Sequence, residues 1–308
     1  MNIVQSISKY DKKQPIAITI GTFDGVHIGH KKIINRLINN AKELGLVPTV
    51  LTFFPHPRMV LQKDADIKLL NTIEERGEIL EQLGLEQLIV HPFTTEFSRL
   101  SATEFVSDLL VDQLGTKKII IGYDHRFGRN RNANITDLIA FGNTFNFDVE
   151  EIPAQEINDV SVSSTKIRKA LKEGDIRTAN KYLGYSYMLT GVVKEGKGLG
   201  RQIQFPTANI KMKEKYKLIP KNGVYVVQST IAGKRVSGMM NIGFNPTVGG
   251  KEQSIEVHFF DFNQDLYHQK IQIDILDRIR DERKFESVDA LKEQLVLDKE
   301  TSLQLILK

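Results

Sequence analysis

The chain has 308 residues, 41% hydrophobic and 26% charged, with 42 basic against 38 acidic side chains and a net charge of +4. Such a length fits about two domains, and the composition excludes a disordered chain, a collagen-like repeat and a coiled coil. The sequence holds no run of ~18 apolar residues that would predict a membrane span, and the lack of cysteine excludes disulfides, thiolate metal sites and cysteine nucleophiles. The small excess of positive charge is interspersed, which suits a holder of polyanionic small molecules better than a nucleic-acid binder. Near the N-terminus, Asp11, Lys12 and Lys13 precede an apolar stretch shorter than the ~7–15-residue core of a signal peptide. A cysteine-free chain without that signal fits the cytoplasm.

In chain order, Ile16–Ile20 reads as a buried strand and Lys31–Leu44 as a helix with Ile33, Ile34, Leu37, Ile38 and Ala41 on one side. Val47–Phe54 is the next strand, Thr72–Leu83 a helix with Gly84 as its C-cap, Leu88–Val90 a short strand, Ala102–Leu114 a helix and Lys118–Ile121 a strand. Strands alternating with helices predict βαβ units and a parallel sheet, whose ligands bind beyond the carboxyl ends of the strands. After Leu183 the pattern changes to period two with Gly and Pro turns. Tyr187–Val193, Gly223–Ile231, Lys234–Ile242, Ile255–Phe260 and Gln269–Leu276 predict a small antiparallel barrel, and Ser287 to about Leu297 a terminal helix. The fold class is therefore α/β followed by β, with the boundary near Gly184 and domains at 1–184 and 185–308.

The chemistry concentrates in a few segments. The strand at Ile16–Ile20 runs into Gly21-Thr-Phe-Asp-Gly-Val-His-Ile-Gly-His30 and then into a helix. Glycines let backbone approach a ligand, a helix N-terminus offers N–H donors to phosphate, and His27 and His30, three apart, can face one bound group. They could stabilise the charge of a transferring phosphoryl or nucleotidyl group; otherwise this is a glycine turn with two surface histidines. Ser164 and Thr165 precede an apolar-periodic stretch, so they can cap a helix or, with Arg168, hold phosphate. His56 and Arg58 lie in a proline-stiffened loop, and Asp124 and Arg126 follow a strand; each pair reads as a binding loop or a solvated one. In the second half, Thr207 and Asn209 sit two apart in an extended segment and share a face. Gly196, Gly198 and Gly200 form a phosphate loop or an ordinary hairpin turn. Glu256 shares a strand face with His258 and Phe260 and is either salt-bridged or a general base. The alternating Lys211, Lys213, Lys215 and Lys217 read as a solvated face, as does the basic run Arg278, Arg280, Arg283 and Lys284.

Gly21–His30 resembles the His-x-Gly-His signature of nucleotidylyltransferases. Its longer form resembles bacterial bifunctional riboflavin kinase/FMN adenylyltransferases, the prokaryotic FAD synthetases. Phe53–Arg58, Gly122–Gly128, Val162–Arg168, Gly196–Arg201, Phe205–Asn209, Asn241–Thr247 and Glu256–Phe262 continue the resemblance in order along nearly the whole chain. It implies a Rossmann-like nucleotidylyltransferase domain followed by a riboflavin kinase-like barrel. In the first domain it implies His27 and His30 as catalytic, with ATP held by Gly21, Thr22, Phe23, Asp24, Gly25, Gly29, Ser164, Thr165 and Arg168. His56, Arg58, Asp124 and Arg126 would then face the flavin. In the barrel it implies Glu256 as base and ATP at Gly196, Gly198, Gly200, Thr207 and Asn209. Mg²⁺ would lie at Thr207 and Asn209, and flavin near Arg280. Substrates and products would be ATP, riboflavin, FMN and FAD; self-association stays open. The alternative is a riboflavin kinase whose N-terminal domain is inactive or uses another phosphate acceptor. The family often has Glu at Phe54, Phe at His125, Gly at Gln204 and Arg at Phe244.

Overall fold

The computed structural model describes residues 1–62, 66–153, 162–196, 200, 203–247 and 250–307. They form two compact units, Met1–Ser163 and Ser164–Lys308.

The first unit is built on six parallel strands: β1 (Asn2–Val4), β2 (Ile16–Ile20), β3 (Val47–Phe53), β4 (Gln87–His91), β5 (Thr116–Gly122) and β6 (Asp148–Ile152). Their spatial order is β1-β4-β3-β2-β5-β6. Every residue of β2 is buried, as a central strand covered on both faces requires. α1 (Ile28–Leu44) packs Ile34, Leu37 and Ala41 inward and ends on Gly45 in the left-handed conformation. It starts three residues before the predicted helix, because the His27 side chain caps it by accepting the His30 amide. Thr72 and Glu75 form a reciprocal capping box on α3 (Ile73–Gln82). Two strands of this sheet escape the sequence reading. β1 is only three residues long, and β6 carries acidic Glu150, which pairs with Arg36 at 3.0 Å and Lys118 at 3.2 Å instead of following an apolar pattern. The strand order reverses between β2 and β5, so the loops after β3, β2 and β5 emerge side by side at the carboxyl edge, the position where open α/β sheets bind ligands.

The second unit is a closed antiparallel barrel of β7 (Tyr187–Lys194), β8 (Ala208–Lys211), β9 (Gly223–Ile231), β10 (Lys234–Thr247), β11 (Gly250–Phe259) and β12 (Lys270–Arg280), ordered β10-β11-β8-β7-β12-β9. Alternation sets inside from outside. Ile255, Val257 and Phe259 of β11 and Ile271, Ile273 and Ile275 of β12 are buried, while Glu256 and His258 alternate with them and stay half-exposed. The helices Ser164–Glu173 and Ile176–Leu183 belong to this compact unit, although the sequence pattern changes only after Leu183. The Asn180 side chain ties them to the barrel, donating to the Ile275 carbonyl at 2.9 Å and accepting from the Tyr187 amide at 2.7 Å.

The terminal helix, Val288–Ile306, runs well past the predicted end at Leu297. Its later residues break the apolar pattern because the positions it buries are polar, Asp298 and Ser302. The Arg280 guanidinium forks onto Asp298 at 2.6 to 3.1 Å, and Leu295 and Ile306 pack against Phe205, Met239 and Phe260. The lysine run also needs correction at one end. Lys211, Lys213 and Lys215 are exposed, but Lys217 is buried with its ammonium 4.5 Å from the Tyr187 ring centroid. Its alkyl stem fills space while the charge meets a π face.

Candidate functional site

In the first unit the site begins where β2 ends. The Gly21 amide still bonds the Leu51 carbonyl at 3.0 Å, and the chain then turns sharply, with Phe23, Gly25 and Val26 all at positive φ (45°, 89° and 33°). Val26, β-branched and fully buried, is a strained residue held by its surroundings, a kind of strain that gathers at functional sites. The turn delivers His27 and His30 onto the first turn of α1 with stacked rings, 3.6 Å between centroids and 17° apart. The Phe23 ring edge meets His30 at 5.2 Å. Burial, then the positive charges of His27 and Arg76, hold His30 well below the ordinary imidazole range, so it is neutral near pH 7. Its Nδ1 is buried with no hydrogen-bond partner among the described residues. Gly29 is buried in α1, and Thr22 is half-exposed. A neutral imidazole at a helix N-terminus can hydrogen-bond a phosphate oxygen without losing the helix's own positive potential.

Asp24, which the resemblance implied as an ATP-binding residue, is held inside the first unit. It is 1% exposed and its carboxylate accepts the Leu70 amide at 2.9 Å and the Asn71 amide at 3.2 Å. The buried Arg76 guanidinium lies 3.5 Å away and also donates to Thr52. The carboxylate is therefore a tie between the β2 turn and the start of α3.

After β3, His56 caps α2 (Pro57–Leu61) by accepting the Arg58 amide at 3.1 Å, leaving the Arg58 side chain exposed. After β5, Asp124 and Arg126 are exposed on either side of His125. His125 stacks at 6.2 Å on Phe127, one of a series of rings that continues through Phe105 and Phe97. Burial lowers His125 to about 4, with Asp124 opposing and Arg131 reinforcing the shift. The unfolded chain, with histidine near ~6.5, takes up this proton first. Stability from neutral His125 is therefore full above ~6.5 and is lost as pH falls toward 4. The variant His125→Phe should flatten the fall of the urea midpoint between pH 6.5 and 4.5; parallel curves for variant and wild type would disprove this.

Ser164, Thr165 and Arg168 stand on the first turns of the helix Ser164–Glu173, which packs Ile167, Ala170 and Leu171 inward.

In the barrel, register does what spacing alone could not. Asn209 of β8 and Asn241 of β10 are the Cα partners of Glu256 on its two neighbouring strands. All three are half-exposed, on the outer face. His258 Nδ1 bonds the Pro206 carbonyl at 2.8 Å, tethering the segment that carries Thr207. Gly196 lies so close to Asn209 that a Cβ would strike its amide, and at Gly200 a Cβ would strike the Phe205 carbonyl. The two glycines thus fold back over the Phe205–Asn209 segment; Gly198 lies outside the described residues. Gln204 sits at φ 67°, which explains why glycine suits that position. No group of three or more His, Cys, Asp or Glu among the described residues could cage a metal. The Thr207 hydroxyl and Asn209 amide are hard oxygen donors, and they fit Mg²⁺, which keeps water and phosphate oxygens and takes one or two protein ligands.

Arg280, read within a solvated charge run and implied near flavin by the resemblance, is tied to the terminal helix. Its Nε and Nη2 hold Asp298 and its Nη1 donates to the Asp281 carbonyl at 3.0 Å, so it anchors the terminal helix. Two residues escaped the sequence reading: Asn241, visible only through register, and His258, given no role there. The Asn241–Thr247 segment pointed to the first without assigning it a role.

A parallel α/β unit with a histidine-bearing helix terminus at its strand-order reversal, joined to an antiparallel barrel with a carboxylate set among amides, defines a two-domain phosphoryl- and nucleotidyl-transferring enzyme. The FAD synthetase family model matches residues 9–166 and the riboflavin kinase model residues 183–306. The chain is 37% identical to the bifunctional riboflavin kinase/FMN adenylyltransferase of Buchnera aphidicola, covering 97% of this chain and 96% of the relative. It is 38% identical to that of Listeria monocytogenes (92% and 90% covered) and 37% to that of Bacillus subtilis (93% and 91%). It belongs to the bifunctional riboflavin kinase/FMN adenylyltransferase family. A crystal structure named as a macrolide-efflux protein from Streptococcus pneumoniae superposes with a TM-score of 0.88 at 32% identity, covering 98% of both chains. The efflux name is that protein's own; among the described residues here no helix is long and apolar enough to cross a membrane.

Proposed function

We propose that the two activities of the family divide between the two units, at the residues assembled above. The chain phosphorylates riboflavin to FMN and adenylylates FMN to FAD. In the barrel, Glu256 takes the proton of the riboflavin 5′-hydroxyl as that oxygen bonds the γ-phosphorus of ATP and the bond to ADP breaks. Mg²⁺, when bound near Thr207 and Asn209, neutralises phosphate charge. Gly196 and Gly200 let backbone lie against the nucleotide.

In the first unit, a phosphate oxygen of FMN attacks the α-phosphorus of a second ATP, forming FAD and expelling pyrophosphate. FMN phosphate is already an anion, so no base is needed. His27 and His30 hydrogen-bond the developing charge. His56, Arg58, Asp124 and Arg126, on the loops after β3 and β5, face the flavin side. The resemblance assigns Ser164, Thr165 and Arg168 to the triphosphate. The cytoplasm is the compartment that fits the absence of cysteine.

The observation that carries this division is the separation of the two clusters: the stacked histidines follow β2 of the first unit and Glu256 lies on β11 of the second. Chromatography of riboflavin, FMN and FAD after incubation with ATP and Mg²⁺ tests it. Wild type should accumulate FMN and then FAD. His30→Ala should keep the FMN rate and lower FAD formation about 10²-fold or more. FMN alone from wild type would leave the first unit silent or serving another acceptor, and loss of both activities in folded His30→Ala would refute the division.

A further inference from the structure

The ladder between β8 and β11 pairs Ala208 with Val257 and Asn209 with Glu256. Thr207 and Pro206 precede β8. Pro206 has no N–H with which to continue a ladder, so this end of the segment needs another attachment. β11 supplies it. His258 lies two residues beyond Glu256 on the same outer face, and its Nδ1 is 2.8 Å from the Pro206 carbonyl oxygen. A carbonyl only accepts, so Nδ1 carries the proton and donates. The ring itself is held. It meets the Phe205 ring at 5.1 Å and 60° and the Phe260 ring at 5.9 Å and 65°, both edge-on. Phe205 and Phe260 are buried and pack with Met239, Leu295 and Ile306. The imidazole is thus oriented by two rings that the core fixes.

We propose that His258 is the positioning residue of the metal and nucleotide segment: its bond to the Pro206 carbonyl fixes the backbone that carries Thr207 and Asn209, and does so from the strand that carries Glu256. β11 then holds the base through its own backbone, and the donors for Mg²⁺ and phosphate through His258 and the ladder. The two halves of the phosphorylation site keep one spacing as a result. His258 acts through Thr207 and Asn209, not on the substrate. The inference rests on the reading of those two residues as the ones for Mg²⁺ and ATP phosphate.

Two variants separate the bond from the ring. His258→Phe keeps the ring contacts and loses the donor. His258→Asn loses the ring but keeps a donor, since its amide nitrogen can take the place of Nδ1. In His258→Phe, the Mg²⁺ concentration for half-maximal FMN formation and KM for ATP should each rise about fivefold, the weight of one hydrogen bond. Its kcat at saturating Mg²⁺ and ATP should stay within about twofold of wild type. His258→Asn should lie closer to wild type on both constants. Hydrogen exchange of the Thr207 and Ala208 amides, measured without metal or nucleotide, should accelerate in His258→Phe and much less in His258→Asn. A contact that only stabilises the barrel would lower the thermal midpoint and leave both constants unchanged. That result, or unchanged exchange at Thr207 and Ala208, or a loss carried by kcat alone, would overturn the proposal. Should His258→Phe prevent folding, His258→Gln, whose amide reaches the Nε2 position instead, loses the same bond and carries the same test. Thr207→Ala keeps the two readings apart. If it leaves the Mg²⁺ and ATP dependence unchanged, the metal reading itself fails. If it raises both constants while His258→Phe does not, the tether alone is refuted.

Discussion

Glu256→Gln should abolish FMN formation to within the sensitivity of most assays, a loss of about 10²–10⁴ in kcat, while FAD formation from supplied FMN continues. Glutamine keeps the shape and the hydrogen-bonding reach of glutamate at this half-exposed position on β11, so the barrel should remain folded. It removes only the capacity to accept a proton from the attacking hydroxyl. The residual rate measures what positioning and charge neutralisation contribute without a base. KM for ATP should move little, since the proposed nucleotide contacts are those of Thr207, Asn209 and the glycine loop. Quantifying both products in one incubation makes the two units controls for one another. A variant that lost FAD formation from FMN as well, with its thermal midpoint intact, would contradict a division of labour between units.

The second large effect is on stability. Asp24→Ala should destabilise the first unit by about 3–5 kcal/mol, since it leaves the Arg76 guanidinium, 1% exposed, without its buried counter-ion. It also strips acceptors from the Leu70 and Asn71 amides. Replacing Asp24 by Asn keeps one acceptor oxygen and should cost less. If Asp24 acted chiefly on the nucleotide, Asp24→Ala would raise KM for ATP in FAD formation and leave the unfolding midpoint near wild type. If it is the tie described here, hydrogen exchange at Leu70 and Asn71 should accelerate and the midpoint should fall. Because the tie also holds the turn that presents His27 and His30, FAD formation should decline alongside stability.

What could be read from the chain before its fold was known follows from the range of the interactions involved. The β2-turn-α1 segment was legible because the pattern that marks it is local: an apolar run, glycines in the turn and two histidines three apart. The role of Asp24, inside the same motif, was not. Its partners come from Leu70, Asn71 and Arg76, and no local pattern announces a contact across so many residues. Arg280 misled for the same reason: in sequence it sits in a run of positive charge, and in space it faces Asp298. The terminal helix was cut short because buried Asp298 and Ser302 look like a solvent face until their partners are known.

The sequence by itself determined that a βαβ unit precedes an antiparallel barrel, because periods of 3.6 and 2 are properties of neighbouring residues. It also singled out segments suited to phosphate chemistry, because glycine turns, helix termini and hydroxyl caps are local. The tertiary structure alone decided strand order and register. Order places the ends of β3, β2 and β5 side by side; register sets Asn209 and Asn241 on either side of Glu256. Both arise from closing a sheet or a barrel over long separations. A shift of one residue would turn Glu256 to the opposite face of the barrel wall, so the packing of Ile255, Val257 and Phe259 inside is what holds the carboxylate outside.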